Sequence, residues 1–430
     1  MDDEWTVTGW TRAPTTVRAG PDVAWRRQHF AQGDRTVEYN PFARDIQTNP
    51  YPVYKWLRDE APVYHNEEIG FWALSRFDDV LAAHLDPGTF LSGHGVTIEG
   101  YDQGNDVLIS RDEPSHSWHR KLVSRLFTPR AISDLEPKVR DIAARVLDGA
   151  RDRGEIDIVA EFSTHLPMMV IAEMLGLPME TREQLRHYSD AILDRSEADE
   201  EGNVSDATQQ AMGAIMVLLM QIVDEKSRNL GDDIASLLLT STVRDDDGNE
   251  VALTHEQVAY RLLELTIAGH ETTAKLIANG VVALDWYPDQ RAQLVADPSL
   301  IPNAVEEMLR WDPPSHYQGR WVEQDVMLHG VTIPADSRVI LITGAANHDE
   351  RMFPEPEYFD IHRDIERHVG LGFGIHLCVG AALARLETRI AFEELLKRYP
   401  HYELRQPMQR AYSSNVRGLS NLPLALDPAA

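Results

Sequence analysis

The chain is nearly devoid of cysteine: Cys378 is the only one in 430 residues. No internal disulfide can form, and a lone thiol suits a reducing compartment. Basic charge is scarce as well, with 41 Lys and Arg against 69 Asp and Glu, for a net charge of −28. Nucleic-acid binding rests on neutralising phosphates with Lys and Arg, so that class of partner is excluded. Adhesion to an acidic membrane surface is disfavoured for the same reason. Long apolar runs are missing too. The longest, residues 211–223, is too short to span a bilayer. The N-terminus, Met1-Asp2-Asp3-Glu4, lacks the basic-then-apolar layout of a signal peptide. These absences point to the cytoplasm. No Gly/Ser linker, internal repeat or low-complexity tract divides the chain, and no flavin or nicotinamide fingerprint appears in it. The expected organisation is an N-terminal arm, residues 1–40, followed by one large domain, residues 41–430.

What is present is mostly helical periodicity, so the expected fold class is mainly α with minor β. Helices are predicted over 50–60, 77–85, 115–127, 132–153, 160–175, 180–196 and 207–229. An acidic loop, residues 198–205, joins the last two. A short hairpin is predicted from 63–65 and 71–74 across a polar turn. The glycine-rich stretch within 91–105 reads as a mobile loop. Thr254 and Gln257 have capping-box spacing and open a long helix that ends before Pro288. Helices over 288–296 and 301–310 follow, then strands around 326–328 and 339–342. An irregular Pro-rich passage, 353–363, leads to the cysteine and a final helix over 381–398.

Cys378 sits in Leu371-Gly372-Phe373-Gly374-Ile375-His376-Leu377-Cys378-Val379-Gly380, directly before that last helix. A helix N-terminus presents free N–H groups and a partial positive charge, which stabilise a thiolate. A thiolate so placed is a nucleophile or a metal ligand, whereas an isolated free cysteine is more often a small buried hydrophobe. The glycines favour a ligand. Gly374 permits a tight turn before the sulfur, and Gly380 lets something large and flat approach the backbone. A heme would fit there.

Mid-way along the long helix stands Ala268-Gly269-His270-Glu271-Thr272-Thr273. Glycine inside a helix costs about 1 kcal/mol relative to alanine, so a need for space is implied. Ala268 and Gly269 would leave a groove for a diatomic ligand. Thr272 can bond the carbonyl of Ala268 one turn back and open the helix locally. Downstream, Glu307 and Arg310 lie at i, i+3 on one helix face.

Together these residues resemble the cytochrome P-450 family of heme-thiolate monooxygenases, over roughly residue 41 to the end. The cysteine loop matches the family's Phe-x-x-Gly-x-His/Arg-x-Cys-x-Gly at Gly374, His376, Cys378 and Gly380, with Leu371 in place of the Phe. The helix string matches Ala/Gly-Gly-x-Asp/Glu-Thr-Thr throughout. The resemblance implies the cytochrome P-450 fold, with heme b (iron protoporphyrin IX) between the long oxygen-binding helix and the cysteine-bearing helix. It implies Cys378 as iron ligand and Thr272 and Glu271 as the proton-handling pair, with His270 at the variable position. It implies that Glu307 and Arg310 are buried and brace the irregular passage, with Arg363 as a third partner. His116 and Arg120, at i, i+4, match the family's His-x-x-x-Arg. With Arg320 and His376 they become expected partners of the heme propionates.

The implied activity is O2-dependent hydroxylation, epoxidation or demethylation of a small organic substrate. Electrons would come from a ferredoxin or flavodoxin with its reductase, and the basic cluster Lys121, Arg125 and Arg130 is the expected docking site. The loop 91–105 contains no arginine, which favours a neutral, largely apolar substrate. Its walls are expected from that loop, the helix near Ala268, residues 316–318 and residues 414–416. Two rivals differ in class. A non-catalytic heme-thiolate sensor or electron carrier would not need Gly269, Glu271 and Thr272. A Cys–His hydrolase would need His376 to act as base on Cys378.

Overall fold

The structure, a computed structural model, describes residues 37–98, 107–177, 179–193, 206–245 and 247–427. Residues 1–36 of the expected arm, the acidic loop 198–205 and residues 99–105 of the glycine-rich loop lie outside it. The molecule is built around one helix, His255–Trp286. Thr254 starts it: its hydroxyl accepts from the Gln257 N–H at 3.2 Å, and the Gln257 carboxamide accepts from the Thr254 N–H at 2.9 Å. Two otherwise orphaned donors are thereby satisfied. Tyr287 and Pro288 end the helix, since proline cannot continue the hydrogen-bond ladder. At 1.5 Å per residue it is about 48 Å long.

The second half of this helix is apolar nearly all round, with Leu276, Ile277, Ala278, Val281, Val282 and Leu284 buried. A helix of that kind must be enclosed. It packs against helices His165–Met174, Asp206–Arg228, Ile301–Trp311 and Ala381–Arg398. Gly280 is needed for this closeness. A Cβ there would lie 2.6 Å from Met308 Sδ and 2.7 Å from Phe392 Cζ.

The β structure lies to one side. A five-stranded sheet runs in the order Val63–Asn66, Phe71–Leu74, Ser337–Leu341, Gln318–Val322, Phe90–Leu91. Its only parallel pairing joins Phe71–Leu74 to Ser337–Leu341, so the sheet ties the early chain to the late chain. A three-stranded sheet joins Glu155–Asp157 to the C-terminal strands His401–Leu404 and Pro423–Asp427.

Several helix limits differ from expectation. The helix expected over 160–175 is a π-helical turn, Ile158–Ser163, followed by the α-helix His165–Met174. Asp157 caps the π-helical turn: its carboxylate accepts from the N–H groups of Val159 and Ala160 while its own strand is held in the sheet. The helix expected from 132 begins at Pro129, where Thr128 caps it, and ends at Gly149. The short helices Ile234–Leu239 and Thr343–Ala346, and the strand Gln318–Val322, were not anticipated. Each is too short to show a period.

Glu307 and Arg310 are both fully buried and form a two-pronged pair, with N···O distances of 2.6 and 2.7 Å. Arg310 also donates to the carbonyls of Asn347 at 2.8 Å and Pro356 at 2.9 Å. Glu307 accepts from the Asp360 N–H at 2.9 Å, and Arg363 Nε stands 3.3 Å from its carboxylate. Arg363 in turn donates to the carbonyls of Pro354 and Tyr358. The irregular passage therefore takes its shape from two guanidiniums and one carboxylate. A buried pair stabilises only when its remaining hydrogen-bonding capacity is met, and here it is. Glu307→Gln should leave two guanidiniums undercompensated and cost about 3–5 kcal/mol. Urea unfolding, compared with an exposed control such as Glu60→Gln, would measure the loss.

Candidate active site

The cysteine loop is set by two left-handed glycines, Gly372 at φ +71° and Gly374 at φ +66°. The reversal brings the Cys378 N–H onto the Leu371 carbonyl at 2.9 Å. At Gly374 a Cβ would sit 2.4 Å from the carbonyl oxygen of His84, so the loop lies directly on the end of the helix Phe77–Leu85. Leu371 packs against the main core, and Val379 against the cluster that holds Leu263, Leu265 and Ile267 of the long helix.

Cys378 is accessible to solvent, yet protein surrounds its sulfur closely enough for burial to push the thiol up. Both hold for a sulfur at the floor of a cleft. The Gly380 N–H, Arg120 and Arg385 act in the opposite direction, towards the thiolate. At Gly380 a Cβ would meet only Cys378 Sγ and Phe127 Cε1, each at 4.0 Å. Protein packing does not require glycine there; the space beside the sulfur is simply left open. Arg385, seven residues after the cysteine, was missed in the sequence. Its signal was helical spacing from Cys378, obscured by its pairing with Glu306.

On the long helix Ala268 is exposed, while Thr266, His270, Thr273 and Ala274 are buried. An exposed residue on an enclosed helix marks the wall of a cleft. Thr272 Oγ1 donates to the Ala268 carbonyl at 2.8 Å, and Glu271 is half-buried on the same turn. Gly269 also lies against a neighbouring helix. A Cβ there would lie 2.9 Å from Ile171 Cδ1, so this glycine serves close packing against the helix His165–Met174.

His116, Arg120, Arg320 and His376 converge although they lie on three separate segments. The His116 and His376 rings are 4.3 Å apart. Arg120 donates to the Leu377 carbonyl, next to the cysteine. His376 Nε2 is 3.1 Å from Ser92 Oγ and is therefore not placed as a base on Cys378. Arg320 is 4% exposed, and its guanidinium donates to the Gly319 carbonyl at 2.6 Å. Neither Arg120 nor Arg320 has a carboxylate within 4 Å among the described residues. Burial lowers Arg320 to about 10. Burial, followed by the charges of Arg320, His116, His84 and Arg120, lowers His376 to about 3.

Buried cations without anions are costly. A set like this one suits a bound group that brings carboxylates of its own. An open flank beside Gly380, a thiol turned into the cleft and uncompensated guanidiniums at its edge all fit heme. Residues 316–318 and 414–416, both expected to line the substrate pocket, meet each other: His316 N–H donates to the Asn415 carbonyl at 2.8 Å, and Tyr317 and Ser414 share a 3.0 Å hydrogen bond. Asp312 accepts from Tyr51 at 2.5 Å and Arg417 at 2.9 Å.

Gly374→Ala should displace the loop from His84, since both the left-handed backbone and the 2.4 Å approach oppose a Cβ. Gly149→Ala, with nothing within 4 Å, should be neutral or stabilising. Thermal unfolding of the two variants, side by side, checks this contrast.

The cytochrome P450 family profile matches residues 73–423. The chain is 38% identical over 406 residues to the vitamin D(3) 25-hydroxylase of Pseudonocardia autotrophica, covering 91% of this chain and 98% of the relative. The structure of cytochrome P450 CYP109Q5 from Chondromyces apiculatus superposes with a TM-score of 0.81 at 33% identity, covering 91% of this chain and 98% of that one. CYP109E1 from Bacillus megaterium in complex with corticosterone gives a TM-score of 0.78 at 32% identity, covering 89% and 100%. The profile spans most of the chain, and the fold and the cysteine loop agree with it: the chain belongs to the cytochrome P450 family, the heme-thiolate monooxygenases.

Proposed function

We propose that this monooxygenase binds heme b through Cys378 and oxidises a small, largely apolar organic substrate with electrons from a ferredoxin or flavodoxin and its reductase. The observations that carry the reading are an accessible thiol just before the helix Ala381–Arg398 and, on the long helix, an exposed Ala268 whose carbonyl accepts from the Thr272 hydroxyl. When bound, the heme supplies the oxygen chemistry, and thiolate ligation favours O–O cleavage. The chain's own residues do the rest. Cys378 would ligate the iron, while His116, Arg120, Arg320 and His376 would hold the propionates. Thr272, anchored on Ala268, can present its hydroxyl to a ligand in the cleft, and Glu271 can pass protons to it. An acid and an alcohol are what a non-turnover sensor or carrier would not require.

The relatives support a substrate class. A vitamin D(3) hydroxylase and a corticosterone-bound structure are among them, and both suit a bulky, mainly apolar ring system. Lys121, Arg125 and Arg130 are exposed on the chain segment that follows Arg120 and its contact to Leu377. This basic patch on an acidic protein fits an acidic electron donor. No helix among the described residues is long and apolar enough to cross a membrane, which accords with a cytoplasmic enzyme.

Cys378→Ser should abolish the red-shifted carbon monoxide band of thiolate-ligated heme; retention of that band in difference spectra would remove the assignment. Thr272→Ala should keep heme and substrate binding but divert reducing equivalents to hydrogen peroxide, read as the ratio of product to NADH consumed. Arg125→Glu should slow reduction by an acidic ferredoxin about tenfold at low salt, with the difference shrinking as salt rises. Stopped-flow reduction at two ionic strengths tests it.

A further inference from the structure

One buried imidazole beside this cluster belongs to none of the motifs. His84 lies on the helix Phe77–Leu85, on the same face as Phe77 and Val80. It is 3% exposed, and neither Nδ1 nor Nε2 has a hydrogen-bond partner. Its helix neighbours Phe77, Val80 and Ala83 belong to an apolar cluster with Val63, Leu74, Phe353 and Val369. A leucine would suit that setting, because leaving buried polar atoms unmet is destabilising.

Its position explains why an imidazole is kept. The His84 carbonyl abuts Gly374 in the cysteine loop. Its ring is within electrostatic reach of Arg320, and it is one of the charges acting on His376. The acid that acts on Arg320 is Asp112, whose carboxylate already accepts from the N–H groups of Ser92 and Gly93. Two guanidiniums and three imidazoles thus gather there, and among the described residues only His116 has a carboxylate within 4 Å, that of Glu113 at 3.6 Å.

We infer that His84 donates a hydrogen bond to the heme propionate held by Arg320 and His376, as a fifth member of that clamp. The inference rests on the heme site proposed above. It gives two effects of opposite sign to one substitution. His84→Leu should make the heme-free chain at least as stable in urea, because an unmet polar group is replaced by an apolar one. The same variant should release heme about tenfold faster, because a charge-assisted hydrogen bond is lost.

Heme transfer to excess apomyoglobin measures the release. His84→Gln, which keeps a donor, should stay within about threefold of the wild type. His84→Met provides the apolar comparison should the leucine variant not fold. Reconstitution with heme dimethyl ester, whose propionates are blocked, should make wild type and His84→Leu release at the same rate. Unchanged release of ordinary heme from His84→Leu, or an equal acceleration with the ester, would overturn the inference. A wild-type chain that takes up no heme would instead overturn the underlying reading, and this one with it.

Discussion

The arrangement of the site depends on the buried pair between Glu307 and Arg310. Neither side chain reaches solvent, and each has hydrogen bonds beyond the pair. A guanidinium with five donors and a carboxylate with four acceptor sites can organise a stretch of backbone that has no regular structure of its own. That stretch ends at the glycines of the cysteine loop. The thiol is therefore held from both sides: by the irregular passage before it and by the helix Ala381–Arg398 after it. Burial makes the arrangement specific, because any other path for residues 353–363 would leave charge unpaired in the core.

The cleft works by the opposite principle. Around Glu307 every charge is met from within the chain, whereas around Arg320 the guanidinium has no carboxylate partner and the imidazoles of His84, His116 and His376 are held low by burial. The first arrangement is a finished structural element. The second is half of one, which fits a bound group that brings carboxylates of its own. Heme binding and folding are then linked, since occupancy relieves the repulsion that the polypeptide alone must bear.

Much of the fold was legible because its signals are local. The capping box at Thr254, the proline after Tyr287 and the period of the final helix each report on a few consecutive residues, and the observed limits agree with them. The helix over 160–175 was misjudged because periodicity does not register a side-chain cap. Asp157 caps the turn by accepting from its first N–H groups, and that turn is π-helical. The packing neighbour of Gly269 was not legible for a related reason. A glycine in a helix announces a need for space, but the neighbour requiring it, Ile171, lies about a hundred positions away.

What the sequence determined by itself was the chemistry: which atom can ligate iron, which hydroxyl and acid stand one turn from Ala268, and which carboxylate can reach Arg310. These follow from spacing within one helix or one loop, where geometry is the same in every protein. The tertiary structure alone decided what converges. His84, Ser92 and Asp112 join Arg320 and His376 only because a parallel strand pairing and a left-handed glycine turn bring distant segments into contact. Spacing along a chain carries no record of such a path, so which side chains gather there could be read only from the folded molecule.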